Sequence, residues 1–178
     1  MQNETVIAGF GGQGVLFTGK VMAYTGMEDG LEVTWFPSYG PEMRGGTANC
    51  TVIISDDEIG SPQVLNPRAA IVMNQPSLDK YEELVVPGGY LAVNTSMTNR
   101  GAKRGDIEVI EVPATELAEE IGDKRLANSI MLGALAARAD FLKMESLEKA
   151  LVKSLPGGKK DLVEINLRAL KKGADSVK

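Results

Sequence analysis

The sequence predicts an α/β fold: a three-layer sandwich around a largely parallel, mixed sheet, with a Rossmann-like glycine loop and a helical C-terminal third. Three observations predict it. Short apolar runs alternate with stretches of helical spacing as far as Val112. The glycine cluster Gly9-Phe10-Gly11-Gly12-Gln13-Gly14 stands directly between the first such run and the first helical stretch. Beyond Val112 the apolar pattern is helical. With 178 residues, the chain is expected to form one domain, 1–178, long enough to bury a substantial core.

In chain order, Thr5-Val6-Ile7-Ala8 reads as a short buried strand ending at the glycine cluster. From Gln13 to about Met27, the spacing of Val15, Leu16, Met22 and Ala23 suits a helix packed on a sheet. Gly30 breaks it. Glu32-Val33-Thr34-Trp35-Phe36 reads as a second strand stopped by Pro37. A loop rich in glycine and proline follows from Ser38 to Gly46. Ala48-Asn49-Cys50-Thr51-Val52-Ile53-Ile54 is a third strand, and its loop connection allows antiparallel pairing with the second. Ala70–Met73, Tyr90–Val93 and Val109–Val112 are further strands. A short helix is expected around Leu78–Leu84, and a polar surface loop over Ser96–Asp106. A helix opens near Pro113, where the missing N–H is tolerated. Asn128 or Ser129 is placed to cap a helix over Ile130–Ala139. Two more helices are expected at Glu145–Ser154 and Asp161–Lys172, separated by Pro156-Gly157-Gly158.

Composition excludes several chemistries. The formal net charge of −5 argues against broad nucleic-acid binding, which needs a basic surface. There is no histidine to serve as general base or metal ligand. The single cysteine, Cys50, cannot ligate an iron–sulfur cluster, which normally takes four thiolates, and no metal site is expected. Its apolar neighbours mark it as a core residue rather than a nucleophile. The stretch Met1-Gln2-Asn3-Glu4 lacks the basic start of a signal peptide, and no apolar run approaches the roughly 18 residues that cross a bilayer. No membrane contact and a cytoplasmic location are expected.

The glycine cluster satisfies the G-x-G-x-x-G pattern. Its first glycine permits the tight turn, the second close backbone approach, and the third helix–strand packing. The helix start offers N–H groups and a partial positive charge to an anion, worth roughly 0.3–1 kcal/mol when exposed. A dinucleotide site also requires an acid at the end of the second strand, to hold the ribose hydroxyls. Here that strand ends in Trp35-Phe36-Pro37, and Glu32 sits at its start. Binding of NAD(P) by a free-standing Rossmann protein is therefore disfavoured. Glycine needed only for packing, another phosphate-bearing ligand, or contact with a partner subunit all remain open.

These residues resemble a family. Gly11-Gly12-Gln13-Gly14, followed by Gly19, is similar to the opening signature of the gamma subunits of 2-oxoacid:ferredoxin oxidoreductases, the enzymes that act on pyruvate, 2-oxoglutarate or ketoisovalerate. The loop Ser38-Tyr39-Gly40-Pro41-Glu42-Met43-Arg44-Gly45-Gly46 resembles the second signature nearly in full. Ala127-Asn128-Ser129 ahead of Met131-Leu132-Gly133-Ala134-Leu135 resembles a third, weaker feature. The similarity spans about residues 5–140.

The resemblance implies a subunit of an enzyme that decarboxylates a 2-oxoacid, captures the acyl group on coenzyme A and passes two electrons to ferredoxin. Thiamine diphosphate with Mg²⁺ would lie between alpha and beta subunits, and iron–sulfur clusters in the beta and ferredoxin-like subunits. This chain would hold no catalytic residue and no cofactor alone, acting as scaffold and contributing to a coenzyme A or substrate site. Consistently, no Gly-Asp-Gly opening of a thiamine diphosphate motif is present, because Gly105-Asp106 is followed by Ile107. An indolepyruvate:ferredoxin oxidoreductase small subunit is the alternative within the same family. Whether the isolated chain forms a homodimer is left open.

The candidate cofactor-binding residues are Gly9, Gly11, Gly12, Gln13, Gly14 and Arg44. Arg44, between glycines, can fork onto a phosphate or carboxylate, or pair with Glu42 or a partner subunit. Gln13 can donate to a ligand or cap the turn. Ser38, Tyr39, Gly40, Pro41, Glu42, Met43, Gly45, Gly46 and Asn128 form the candidate interface or substrate loop, with Tyr39 and Glu42 ordering it. Arg100, Lys103 and Arg104 make a basic loop that either meets coenzyme A phosphates or is simply solvated, and Lys159 and Lys160 have the same standing.

Overall fold

A computed structural model describes residues 1–38, 46–155, 157 and 160–177. Six strands form one sheet, β1 (Gln2–Phe10), β2 (Glu32–Ser38), β3 (Thr47–Ser55), β4 (Ala69–Val72), β5 (Tyr90–Asn94) and β6 (Glu108–Val112), in the order β2-β3-β1-β4-β5-β6. The pairs β1–β4, β4–β5 and β5–β6 are parallel, whereas β3 is antiparallel to both β1 and β2. So β3 alone runs against the rest, and the largely parallel, mixed sheet is borne out.

The helices are α1 (Val15–Glu28), α2 (Gln75–Tyr81), α3 (Ala114–Ile121), α4 (Ala127–Arg138), α5 (Met144–Ser154) and α6 (Lys160–Asp175). Side chains alternate across each strand, so Ile7, Val52, Ile71, Ala92 and Ile110 face one layer. That layer is α1 and the C-terminal helices α3–α6. On the other face Val6, Ala8, Val72, Leu91 and Val93 pack on Leu78 and Tyr81 of α2, with Val85 and Ile107. The three layers are unequal in thickness.

Helix α4 is buried from Ala127 to Ala136, as expected of a helix apolar on every side. It lies between the sheet and α6. Two glycines permit that crossing: a Cβ on Gly133 would stand 1.9 Å from the Leu170 carbonyl oxygen, and one on Gly173 1.9 Å from that of Ile130. The helices therefore meet backbone to backbone.

Several element bounds differ from those expected. Strand β2 is not stopped by Pro37 but runs through it to Ser38, because it is an edge strand, where a proline is tolerated. Strand β1 begins at Gln2 and continues through Gly9 to Phe10, because its ladder to β3 uses backbone groups and accepts polar side chains. Helix α2 starts at Gln75, where Asn74 Oδ1 accepts the Ser77 N–H at 3.0 Å, and it ends in a 3₁₀ turn over Glu82–Leu84. Among the described residues no helix is long and apolar enough to cross a membrane.

Candidate functional site

The parallel strands β1, β4, β5 and β6 end along one edge, at Phe10, Val72, Asn94 and Val112. In open α/β sheets, the crevice outside the carboxyl ends of the strands is where ligands bind. The glycine turn leaves β1 at this edge. Gly12 and Gly14 take positive φ, 95° and 75°, in the left-handed region that other residues avoid. Gly14 then caps α1 without a side chain, and its carbonyl accepts the Thr18 N–H at 2.9 Å and Thr18 Oγ1 at 3.0 Å.

Gln13 holds the turn onto the sheet. Its Oε1 accepts the Phe10 N–H at 2.6 Å and Asn74 Nδ2 at 3.3 Å, and its Nε2 donates to the Met73 carbonyl at 3.3 Å. The Met73 carbonyl also accepts Asn94 Nδ2 at 3.4 Å, and Asn94 Oδ1 accepts the N–H groups of Ala114 and Thr115 at the start of α3. One polar chain thus ties the ends of β1, β4 and β5 to a helix start. Little of the Gln13 amide is left for a ligand.

The segments singled out in the sequence meet here. The Gly11 N–H donates to the Gly46 carbonyl at 3.0 Å, so the end of the second signature lies against the first. Ser38 closes β2 opposite Asn49 at the same edge. Tyr39, Gly40, Pro41, Glu42, Met43, Arg44 and Gly45 lie outside the described residues. Asn128 arrives from α4: its Nδ2 donates to the Gly14 carbonyl at 3.5 Å, and a Cβ on Gly14 would stand 2.0 Å from that nitrogen. Asn128 is not a helix cap, nor is Ser129. A 3₁₀ turn, Lys124–Leu126, runs straight into α4, so both lie inside the helix and are buried. Asn128 Oδ1 accepts the Ser129 N–H at 2.7 Å and Ser129 Oγ at 3.4 Å, and Ser129 Oγ also reaches Asn166 Oδ1 at 3.0 Å.

Gly19 has an equally local reason. A Cβ there would stand 2.4 Å from Cys50 Sγ and 2.9 Å from Trp35 Nε1, so α1 can lie on β2 and β3 only without one. Cys50 is wholly buried, and burial pushes its thiol up to about 12, against hydrogen bonds that pull it down. It is a core residue, as its neighbours implied.

Glu32 pairs with Ser55, which in turn pairs with Gln2 at the start of β1. It is therefore eight strand positions, about 26 Å at the usual rise per residue, from the glycine turn. The parallel strand beside β1 is β4, which leads into Met73-Asn74 and offers no acid at its end. The disfavoured dinucleotide reading has no support in this geometry.

The basic loop is engaged within the protein. Arg100 pairs with Asp79 and Glu82, while Arg104 pairs with Asp106 and donates to the Glu82 and Val85 carbonyls. Glu82 is the centre of this clasp, its side chain 3% exposed, accepting the N–H groups of Lys103 and Arg104. Burial raises its carboxyl, but the Lys103 N–H and Arg100 outweigh it, and the group titrates below its ordinary range. These arginines fold a loop over the α2 layer, and a solvated or phosphate-binding loop is not what the contacts describe. Lys160 opens α6; Lys159 lies outside the described residues.

Beside the turn lies a cavity of about 410 Å³, lined by Gly12, Gln13, Met73, Met97, Thr115, Glu119, Lys124, Arg125 and Ala127. Sequence reasoning missed Lys124 and Arg125, which carry no motif and reach the site only because the 3₁₀ turn before α4 crosses the strand ends. A second groove, of about 380 Å³, runs between α1 and β2 past Lys20, Tyr24, Met27 and Trp35. Among the described residues no group of three or more His, Cys, Asp or Glu side chains is placed to hold a metal.

The comparisons with known proteins agree with this geometry. The chain is 35% identical over 181 residues to the 2-oxoglutarate synthase subunit KorC of Methanocaldococcus jannaschii, covering 100% of this chain and 95% of that one. It is 41% identical over 170 residues to the ketoisovalerate oxidoreductase subunit VorA of Methanothermobacter thermautotrophicus. That match covers 95% of this chain but 35% of the relative, so the chain spans about a third of VorA's length. Among solved structures, the gamma subunit of a keto/oxoacid ferredoxin oxidoreductase from Geobacter sulfurreducens superposes with a TM-score of 0.87 at 28% identity, covering 99% of this chain and 97% of that one. The family described as pyruvate ferredoxin/flavodoxin oxidoreductase matches residues 4–176. The resemblance read from the glycine turn and the Ser38–Gly46 loop is thus borne out, and the chain belongs to that family.

Proposed function

We propose that this chain, residues 1–178 as one domain, is the gamma-type subunit of a cytoplasmic 2-oxoacid:ferredoxin oxidoreductase. The complex would oxidatively decarboxylate a 2-oxoacid: the bond to the carboxylate breaks to release CO₂, the acyl carbon forms a thioester with coenzyme A, and two electrons pass to ferredoxin. The observation that carries this reading is the convergence at one sheet edge of Gly11 with Gly46 and of Gly14 with Asn128. Three segments far apart in sequence build one surface, which suits a site completed by another subunit better than an active centre of its own.

The reactive groups belong on partner chains. Thiamine diphosphate does not fit here, since Asp106 is held by Arg104 and Gly105-Asp106 is followed by Ile107 rather than the glycine of a Gly-Asp-Gly opening. The iron–sulfur clusters do not fit either, because Cys50 is a single buried thiol held protonated. Alpha and beta subunits and a ferredoxin-like subunit would carry them, since in such enzymes the cofactors perform the chemistry and protein groups position it. This chain's part would be to support the assembly and to contribute the glycine turn, Arg44 and the Ser38–Gly46 loop to a coenzyme A or substrate site. The exposed Phe36 on the edge strand β2 and Met27 near the end of α1 further support association with another chain.

Co-expression with the thiamine diphosphate-binding partners tests this. The purified complex should reduce ferredoxin with coenzyme A and one of 2-oxoglutarate, pyruvate, ketoisovalerate or indolepyruvate, and omission of this chain should abolish turnover. Dye reduction by this chain alone with any 2-oxoacid, or full activity without it, would overturn the reading.

A further inference from the structure

We propose that two copies of this chain associate through β2, pairing antiparallel about a two-fold axis at Thr34, so that their two sheets join into one. Strand β2 is an edge of the sheet, and one row of its backbone groups meets no neighbouring strand. The ladder identifies that row. The Gly11 N–H donates to Gly46 and the Met73 N–H to Ala8, so odd-numbered residues of β1 face β3 and even-numbered ones face β4. Their partners in β3 are even-numbered, which leaves the odd residues of β3, and hence the even ones of β2, to bond each other. Val33, Trp35 and Pro37 therefore turn their backbone groups outward. Pro37 has no N–H to offer, so complete pairing is confined to Val33 and Trp35.

A two-fold contact must be complementary to itself. With Thr34 opposite the partner's Thr34, Val33 stands opposite the partner's Trp35, and each such pair exchanges both of its N–H···O bonds. A centre at Trp35 would instead set Val33 against Pro37 and leave the Val33 carbonyl without a donor. A centre at Val33 would set Trp35 against Leu31, whose N–H already donates to the Gly26 carbonyl. Side chains agree with the Thr34 register. Val33 and Trp35 lie against α1 at Gly26 and Gly19, so the two Trp35 rings meet diagonally across the axis, within the roughly 7–8 Å that aromatic side chains span. On the other face Phe36, 56% exposed in the single chain, gains the partner's Glu32 as its neighbour. Charge selects a second copy as the occupant. The groove of about 380 Å³ between α1 and β2 carries Lys20 towards its Trp35 end and Glu32 at the other, and neither makes an ion pair among the described residues. The two-fold axis turns one groove end for end, setting Lys20 of each copy beside Glu32 of the other.

Sedimentation of the full chain over a range of concentrations, with the emission of Trp35 recorded alongside, tests this. A monomer–dimer equilibrium with Kd on the order of 10–100 µM is expected, the weak range of small interfaces, and the emission should shift to the blue as dimer forms. Thr34→Lys sets like charges directly opposite each other at the axis and should weaken the dimer about tenfold, with the circular dichroism of the monomer unchanged. Lys20→Glu and Glu32→Lys should each weaken it about three- to tenfold, and the two together should restore the wild-type affinity. A chain monomeric throughout, a dimer untouched by Thr34→Lys, or charge reversals that add rather than cancel would overturn the proposal. So would a Trp35 shift obtained only on adding the thiamine diphosphate-binding subunits, since the edge would then belong to another chain. Self-association of the chain bears on this proposal alone, and ferredoxin reduction by the co-expressed complex on the subunit reading alone.

Discussion

Replacing Gly14 with alanine separates two costs that the structure superimposes at one residue. The first is conformational: at φ 75° and ψ 20° an L residue pays about 1–2 kcal/mol, whatever surrounds it. The second is steric. The new methyl would stand 2.0 Å from Asn128 Nδ2 and 2.9 Å from its Cγ. Asn128 is 7% exposed, so its amide has no free direction in which to withdraw. Overpacking of that kind costs about 1–3 kcal/mol. Asn128→Ala alone removes the hydrogen bond to the Gly14 carbonyl and the two that Asn128 Oδ1 accepts from the Ser129 N–H and Oγ, each worth about 0.5–1.5 kcal/mol. In the double variant the conformational cost persists while the clash is gone. The coupling between the two positions should therefore be about 1–3 kcal/mol, with the double variant more stable than the sum of the singles.

Because one kcal/mol moves Tm by about 2–4 °C in a protein of this size, Gly14→Ala should melt about 4–20 °C lower, and removing Asn128 should return part of the loss. Urea unfolding followed by far-ultraviolet circular dichroism and by fluorescence of the single tryptophan, Trp35, measures all four proteins. Coincident transitions would license the two-state treatment. Changes in unfolded-chain entropy on losing a glycine cancel in the cycle. Additivity within about 0.5 kcal/mol would refute the packing of Asn128 on Gly14, and with it the convergence on which the site is built.

Two other outcomes are expected. Gly133→Ala and Gly173→Ala each drive a methyl into a carbonyl of the facing helix, so each should lose about 1–3 kcal/mol in urea unfolding, partly offset by alanine's helix preference of about 1 kcal/mol; a raised Tm in either would contradict the backbone contact of α4 and α6. Glu82 titrates below its ordinary value near 4.5, so its ionised form stabilises the fold above that pH and the contribution is lost as pH falls through its lowered value. The Tm deficit of Glu82→Gln should therefore be full at pH 7 and shrink in acid, as melting curves between pH 7 and 3 would show; a deficit independent of pH would mean that packing, not charge, holds the Arg100–Arg104 loop.

What the sequence determined by itself was local. Alternating apolar runs and helical spacing are properties of neighbouring residues, so the strands, the helical last third and the glycine turn were legible from them. The poverty of reactive groups was equally plain: no imidazole and one thiol between apolar neighbours exclude much chemistry whatever the fold. Tertiary structure decided the rest, because the deciding contacts span long distances along the chain. Nothing local distinguishes Asn128 as a helix cap from Asn128 as a wedge on Gly14, 114 residues earlier. Arg100 and Arg104 look like solvated charges until Glu82 is buried beneath them. Lys124 enters the site, and Gln13 is withdrawn from it, only once parallel strands place their carboxyl ends side by side, since that register belongs to the backbone ladder and not to any one segment.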